Sequence, residues 1–470
     1  MRKYIISFGL AAVFMIAGCN KMLELDPKDS LTTERSLSTI EGIKAATAGM
    51  YASLRSANYY GRSMFLYGDL SGDDVYISSN NSNRYLSTYQ RNYAAVDADI
   101  LGMWTAMYNT IARANNIINN VDKVNASQAD KDLQKGQALF VRALAYFDLV
   151  CVFAKPYNQG NGAQAGVPIV LESNVNHYPA RNTVEEVYQR IITDLNDAVN
   201  LLAVTTSSTK VTASKYAAKA LLSRVYLYKG DLTASINAAT DVINAGYQIT
   251  SAADLEDFYA TPGAGADIFT VKFLVTDNLS SNNLGNFYLK PGYGDARISP
   301  ELVNVFDQDK DARFIHFLSP FNGSPAEWQN NKYFGQDGVF GMTSPKVLRI
   351  EEVYLNRAEA YAKDEQYALA LADLNAIRVQ RGLDPVNVDD DQVLDEILEE
   401  RRRELMFEGH RFFDLMRNGK NVVRNYCNQP TQVNSPNCTI TVTADYAIAP
   451  IPQTEIDANS QLRGQQNPGY

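Results

Sequence analysis

The chain has little tryptophan, histidine or cysteine. Of its 470 residues only 2 are Trp, 3 are His and 4 are Cys, against 28 Tyr and 19 Phe. His177, His316 and His410 stand far apart, so the ligand spacing of a zinc site is missing. No GxSxG nucleophile elbow occurs. "PGAGADIF" lacks the Lys-Ser/Thr of a phosphate loop. "DQDKDARFIHFL" starts like a calcium loop at Asp307, Asp309 and Asp311. Ala312 then stands where that loop needs glycine, and Leu318 where it needs a bidentate glutamate. Any acidic chain offers carboxylate pairs, so a glycosidase reading rests on nothing specific. A basic excess is also missing. The formal net charge is −10, which argues against a nucleic-acid partner. Beyond the N-terminus the sequence has no evident membrane-spanning run. No catalytic constellation and no cofactor or metal motif appears in the sequence.

What is present begins at the N-terminus. Arg2 and Lys3 precede "YIISFGLAAVFMIAG" and then Cys19. A basic start, a short apolar stretch and small residues before a cut site describe a signal peptide over residues 1–18. "MIAGC" resembles a bacterial lipobox, which makes Cys19 the lipidated first residue of the mature chain and a membrane anchor. Cys427 and Cys438 flank a polar loop, "NQPTQVNSPN", and suit either a disulfide in an oxidising compartment or two free thiols. Cys151, in "YFDLVCVFA", reads as a small buried hydrophobe.

Helical periodicity fills much of the remaining chain. Apolar residues recur at three- and four-residue spacing over Ser36–Ser56, Ile100–Asp122, Asp130–Ala154 and Thr183–Leu202. "SRVYLYKGDLTASINAATDVI" and "NRAEAYAKDEQYALALADLNAI" align on Tyr226 with Tyr361 and on Ser235 with Ala370. Small and aromatic residues at these places resemble a tetratricopeptide helix pair. Two stretches break the periodicity and read as loop insertions, at about 59–97 and 261–345. The first is rich in Asn, Ser, Tyr and Asp, the second in Gly, Asn, Pro and aromatics, with a β-like "DIFTVKFLVT". Long loops in a compact protein are usually functional or disordered, and abundant aromatics favour function.

Glu400–Arg417 reads "ERRRELMFEGHRFFDLMR". A helix beginning near Asp391 should break close to Gly409, with a second element following. Arg401–Arg403, Glu404, Glu408, Arg411 and Asp414 are expected to form a partly buried ion-pair network. The stretch resembles the signature of the SusD/RagB family of Bacteroidetes outer-membrane lipoproteins. Three other stretches agree: "LELDPKDSLT" (Leu23–Thr32), "GQALFVRALAYFDLV" (Gly136–Val150) and "APIPQTEIDANSQLRGQQNPGY" (Ala449–Tyr470). Surface export in this phylum favours acidic residues directly after the lipidated cysteine. "CNKMLELD" delays them to Glu24 and Asp26, a partial signal.

The resemblance implies one large body over residues 19–470, mostly α. Tetratricopeptide-like helix pairs would form one side, with irregular loops and a few short β-strands on the other. It implies a lipid-anchored outer-membrane protein that captures an oligosaccharide or polysaccharide for a SusC-like TonB-dependent transporter. A RagB-type peptide binder on the same scaffold and a helical-repeat protein adaptor are the alternatives. Sugars are gripped by aromatic faces, with amide, carboxylate and guanidinium groups reading hydroxyls. The first insertion offers Asp73, Asp74, Tyr76, Asn83, Arg84 and Tyr85. The second offers Tyr288, Tyr293, Tyr333 and Trp328, which is expected on an exposed loop. Trp104 lies in a helical pattern and is assigned to the core.

Overall fold

A computed structural model describes residues 33–172, 178–202 and 210–470. The expected signal peptide over residues 1–18 and lipobox at Cys19, with Leu23–Thr32 and His177, lie outside the described residues.

The periodic segments form helices close to their expected bounds. They are α1 (Ile40–Leu54), α3 (Ala98–Asn120), α4 (Gln128–Phe153) and α5 (Val184–Leu201). Capping starts them. The Asp97 carboxylate accepts from the N–H groups of Asp99 and Ile100 at α3, and Thr183 with Glu186 makes a capping box at α5. The aligned repeats are helix pairs: α6 (Lys215–Lys229) with α7 (Leu232–Ile243), and α8 (Ile350–Lys363) with α9 (Tyr367–Gln380). Gly230 ends α6 in the left-handed conformation at φ 89°, which a Cβ would disfavour. Ser235 and Ala370 are fully buried at the matched small positions. α4 packs on α3 and α5, α6 on α5 and α7, and α8 on α7 and α9, giving the expected layered helical side. By length and composition α4 could cross a membrane, which the sequence reading missed. Its apolar window is 94% buried, so it is a core helix. Trp104 lies in that core, 4.9 Å from Phe153 between ring centroids.

The first insertion departs from the expected irregular loop. It contains α2 (Ser63–Ser71), every residue of which is buried, and strand β1 (Val75–Ile77). The second supplies β2 (Asp267–Thr270), β3 (Ala296–Ile298), β4 (Leu318–Phe321) and β5 (Ser324–Asn330). A four-stranded antiparallel sheet of order β1-β3-β5-β4 joins the two insertions, with Tyr76 opposite Arg297 and Ile298 opposite Trp328. The outer edge of β1 is covered by the loop between Cys427 and Cys438. Ser79 N donates to Thr431 O and Val433 N to Ile77 O. The two cysteines are joined in a disulfide. Cys151 is unpaired and half-buried in α4.

Candidate functional site

The charged segment is built into the interior. It folds as α10 (Val393–Glu404), a turn with Phe407 and Gly409 at positive φ, and α11 (Arg411–Arg417). Glu404 is 3% exposed and accepts from Arg313, Arg349 and Arg381 at 2.6–2.9 Å. Glu408 accepts from Lys332 at 2.6 Å, Arg349 at 3.0 Å and the Tyr259 hydroxyl at 3.0 Å. Arg401 holds Asp414 at 3.1 Å, and Arg417 spans Asp414 and Glu359. Burial alone would raise the Glu408 carboxyl, but Arg349 and Lys332 outweigh it and bring it down to about 2. His410 is pushed down to about 4 by desolvation, so it is neutral at pH 7. Charges paired this fully have no free valence for a substrate. The expected ion-pair network is present, and it is architecture.

Its reach corrects two proposed ligand residues. Asp73 takes a two-pronged pair from Arg411 at 2.7 and 2.9 Å. Burial pushes its carboxyl up, but Arg411 and Arg402 overcome that and hold it low. Asp74, 3% exposed, accepts from Arg402 at 2.7 Å. Both carboxylates tie the turn between α2 and β1 to α10 and α11, and are not free to read sugar hydroxyls.

Burial corrects four tyrosines. Tyr85 and Tyr333 are 2% exposed and Tyr288 is 0% exposed. Their hydroxyls are used inside: Tyr85 accepts from Arg62 at 2.8 Å, Tyr288 donates to Asp69 at 2.5 Å, and Tyr333 donates to the Phe407 carbonyl at 2.6 Å. Trp328 is not on an exposed loop. It lies in β5, half-buried, with its ring 5.3 Å from Phe314. Residues directly opposed in a sheet share a face. Trp328 therefore lies with Ile298, and Tyr76 with Arg297 on the other face. Tyr76 is buried too, against Tyr426 at 5.8 Å, with its hydroxyl 3.4 Å from Glu327.

Among the predicted residues that keep some exposure, Asn83, Arg84 and Tyr293 are brought together by the fold, while the equally half-buried Trp328 stays in β5. Asn83 is exposed at the tip of its loop in the left-handed conformation, φ 60°, which Asn tolerates. Next to it Arg84 crosses to the second insertion. Its guanidinium lies 4.3 Å over the half-buried Tyr293 ring and donates to the Tyr293 hydroxyl at 2.8 Å. Asn282, which the sequence reading did not single out, accepts from both Arg84 (3.2 Å) and Arg62 (2.7 Å). Asp295 fastens the first loop by accepting from the Ser82 N–H at 3.1 Å and the Ser82 hydroxyl. The outcome is a polar, aromatic-bearing seam between two insertions distant in sequence. It presents an aromatic ring, a guanidinium and amides, the groups that bind glycan. No local pattern marks Arg62, at the start of α2, Asn282, in the turn 280–282, or Arg297, in β3; only the packing of the two insertions puts them here. Among the described residues no cluster of three or more His, Cys, Asp or Glu is arranged to hold a metal ion. A small hollow on the helical side is lined by Cys151, Tyr188, Tyr228 and Phe413 and by none of these residues.

Comparison with known proteins agrees with this architecture. Residues 21–227 match a family model described as SusD-like, "Starch-binding associating with outer membrane", and residues 319–470 match the SusD family model. The "SusD-like protein P2" of Formosa agariphila is 27% identical, with all of both chains covered. A solved SusD superfamily protein from Bacteroides thetaiotaomicron is 30% identical with a TM-score of 0.84, over 92% of this chain and 100% of that one. A solved Bacteroides vulgatus protein, provisionally named for sugar binding, is 33% identical with a TM-score of 0.84, over 93% of this chain and 99% of that one.

Proposed function

The chain belongs to the SusD/RagB family, and on that premise we propose that it is a surface-exposed lipoprotein that binds oligo- or polysaccharide and passes it to a SusC-like TonB-dependent transporter. It is held to the outer membrane through lipidated Cys19 and acts by binding, not by catalysis. One observation carries the ligand class. Asn83, Arg84 and Tyr293, three of the predicted residues that keep some exposure, converge on one seam, and that seam offers stacking and hydroxyl-reading groups together. A peptide binder would favour a free strand edge for backbone pairing. At β1 that edge is already taken by residues 431–433, which favours sugar over peptide.

Calorimetry of the purified protein against a panel of polysaccharides and of mixed peptides tests this. Saturable binding to at least one glycan and none to the peptides is the expected result. Peptide binding without glycan binding sinks the reading. Co-purification of a TonB-dependent barrel with the tagged lipoprotein from detergent-solubilised outer membrane tests the partner, and recovery of the lipoprotein alone contradicts it.

A further inference from the structure

Most buried arginines of this acidic chain end on a carboxylate, as Arg142, Arg224, Arg313, Arg349, Arg381 and Arg417 do. Around the seam buried Arg62 and Arg297 and partly exposed Arg84 do not, whereas Arg91 and Arg424, the other buried arginines without a carboxylate, are met by several hydroxyls and carbonyls each. Arg62, 8% exposed, donates to the Tyr85 hydroxyl and to Asn282 Oδ1. Arg84, half-exposed, donates to the same Asn282 oxygen and to Tyr293. Two cations thus share one neutral carbonyl. Arg297, 3% exposed, reaches only the Ala296 carbonyl at 3.3 Å, and its Nε has no partner. Its guanidinium lies on the Phe321 ring at 3.2 Å. Lys290 completes the group. A Cβ placed on Gly294 would stand 3.1 Å from Arg297 Nη1 and 3.4 Å from Lys290 Cε, so both cations border the same turn that carries Tyr293.

The acidic groups nearby are Asp295, Asp99 and Glu327. Asp295 is 1% exposed and is held by Ser82. Asp99 lies within electrostatic range of Arg62 and Arg84, and Glu327 within range of Arg297. Among the described residues none of them forms an ion pair with these cations. Asp295 also lies within range of Arg297, so these guanidiniums, bonded to neutral acceptors, are compensated only at a distance and not by a contact carboxylate, which leaves part of the cost of burying them unmet. An anionic oxygen group would compensate it, because the guanidinium fork binds carboxylate and sulfate oxygens with strong, two-pronged hydrogen bonds.

We propose that the glycan taken at this seam is anionic, bearing a carboxylate or a sulfate ester that sits between Arg84 and the Lys290–Arg297 end of the loop. This deepens the glycan-binding reading and rests on it. Accessible Arg84 is the primary contact, and Tyr293 beneath its guanidinium sets the plane in which the sugar lies.

The test is affinity measurement of the purified protein against polygalacturonate, dextran sulfate, starch and dextran, with double-stranded DNA as a polyanion control. Expected is binding to the carboxylated or the sulfated polymer, the two arms deciding which group is read. That affinity should fall about tenfold or more between roughly 50 and 500 mM NaCl. Arg84→Gln and, separately, Lys290→Gln should each weaken it by about tenfold, with circular dichroism unchanged. Binding confined to neutral glycans overturns the anionic inference and leaves the glycan reading standing. No glycan binding overturns both. Equal binding of DNA, or full affinity in both folded variants, overturns the assignment of this site.

Discussion

Asp69 is 2% exposed, and desolvation lifts its carboxyl to about 7 even though the Tyr288 hydroxyl and the Gly409 N–H favour its ionised form. The folded protein therefore holds a proton that the unfolded chain has already released. The stabilisation this brings is complete below about pH 4 and is lost as pH rises through about 7. Asp69→Asn removes that slope. Between pH 5 and pH 8 the wild type should lose about 2–3 kcal/mol relative to Asp69→Asn, at about 1.4 kcal/mol per unit. Denaturant unfolding of both proteins at the two pH values checks this, and parallel pH dependences contradict it. The same residue shows why tyrosine content could not be turned into a binding site. A tyrosine suits a wet surface and a dry interior equally. Tyr288 met a buried carboxylate and Tyr293 met an arginine at the surface, and no neighbour in the sequence distinguishes them.

At the scale of elements, α10 and α11 clamp the turn between α2 and β1 through two ion pairs, Arg402 with Asp74 and Arg411 with Asp73. Removing one partner of a desolvated pair leaves the other charge stranded. Arg411→Ala should therefore cost about 3 kcal/mol of stability and lower the melting temperature, while glycan affinity in the folded fraction stays within about twofold of wild type. Lost affinity at unchanged stability would return Asp73 to the ligand site. The helices themselves were legible because amphipathic periodicity and caps are local. Thr183 with Glu186 announces α5 within a few residues. The internal ion-pair network was legible in part, since Arg401–Arg417 carries one half of it. The other half, Arg313, Lys332, Arg349 and Arg381, comes from four separate stretches that no spacing rule links. α2 was read as part of a loop because it is buried on every side and so has no polar face to set a period.

Across the whole molecule the helical pairs and the ion-pair network form a rigid frame, and the two insertions meet on it in one sheet, with Tyr76 paired to Arg297. The proposed recognition surface is the seam that this pairing creates, with the arginine-rich segment in the frame beneath it. Hydrogen–deuterium exchange, with and without a bound glycan, separates these roles. Added protection at residues 80–85 and 279–297, with 393–417 unchanged, is the predicted result. Protection centred on 393–417, or none along the seam under saturating glycan, would contradict it.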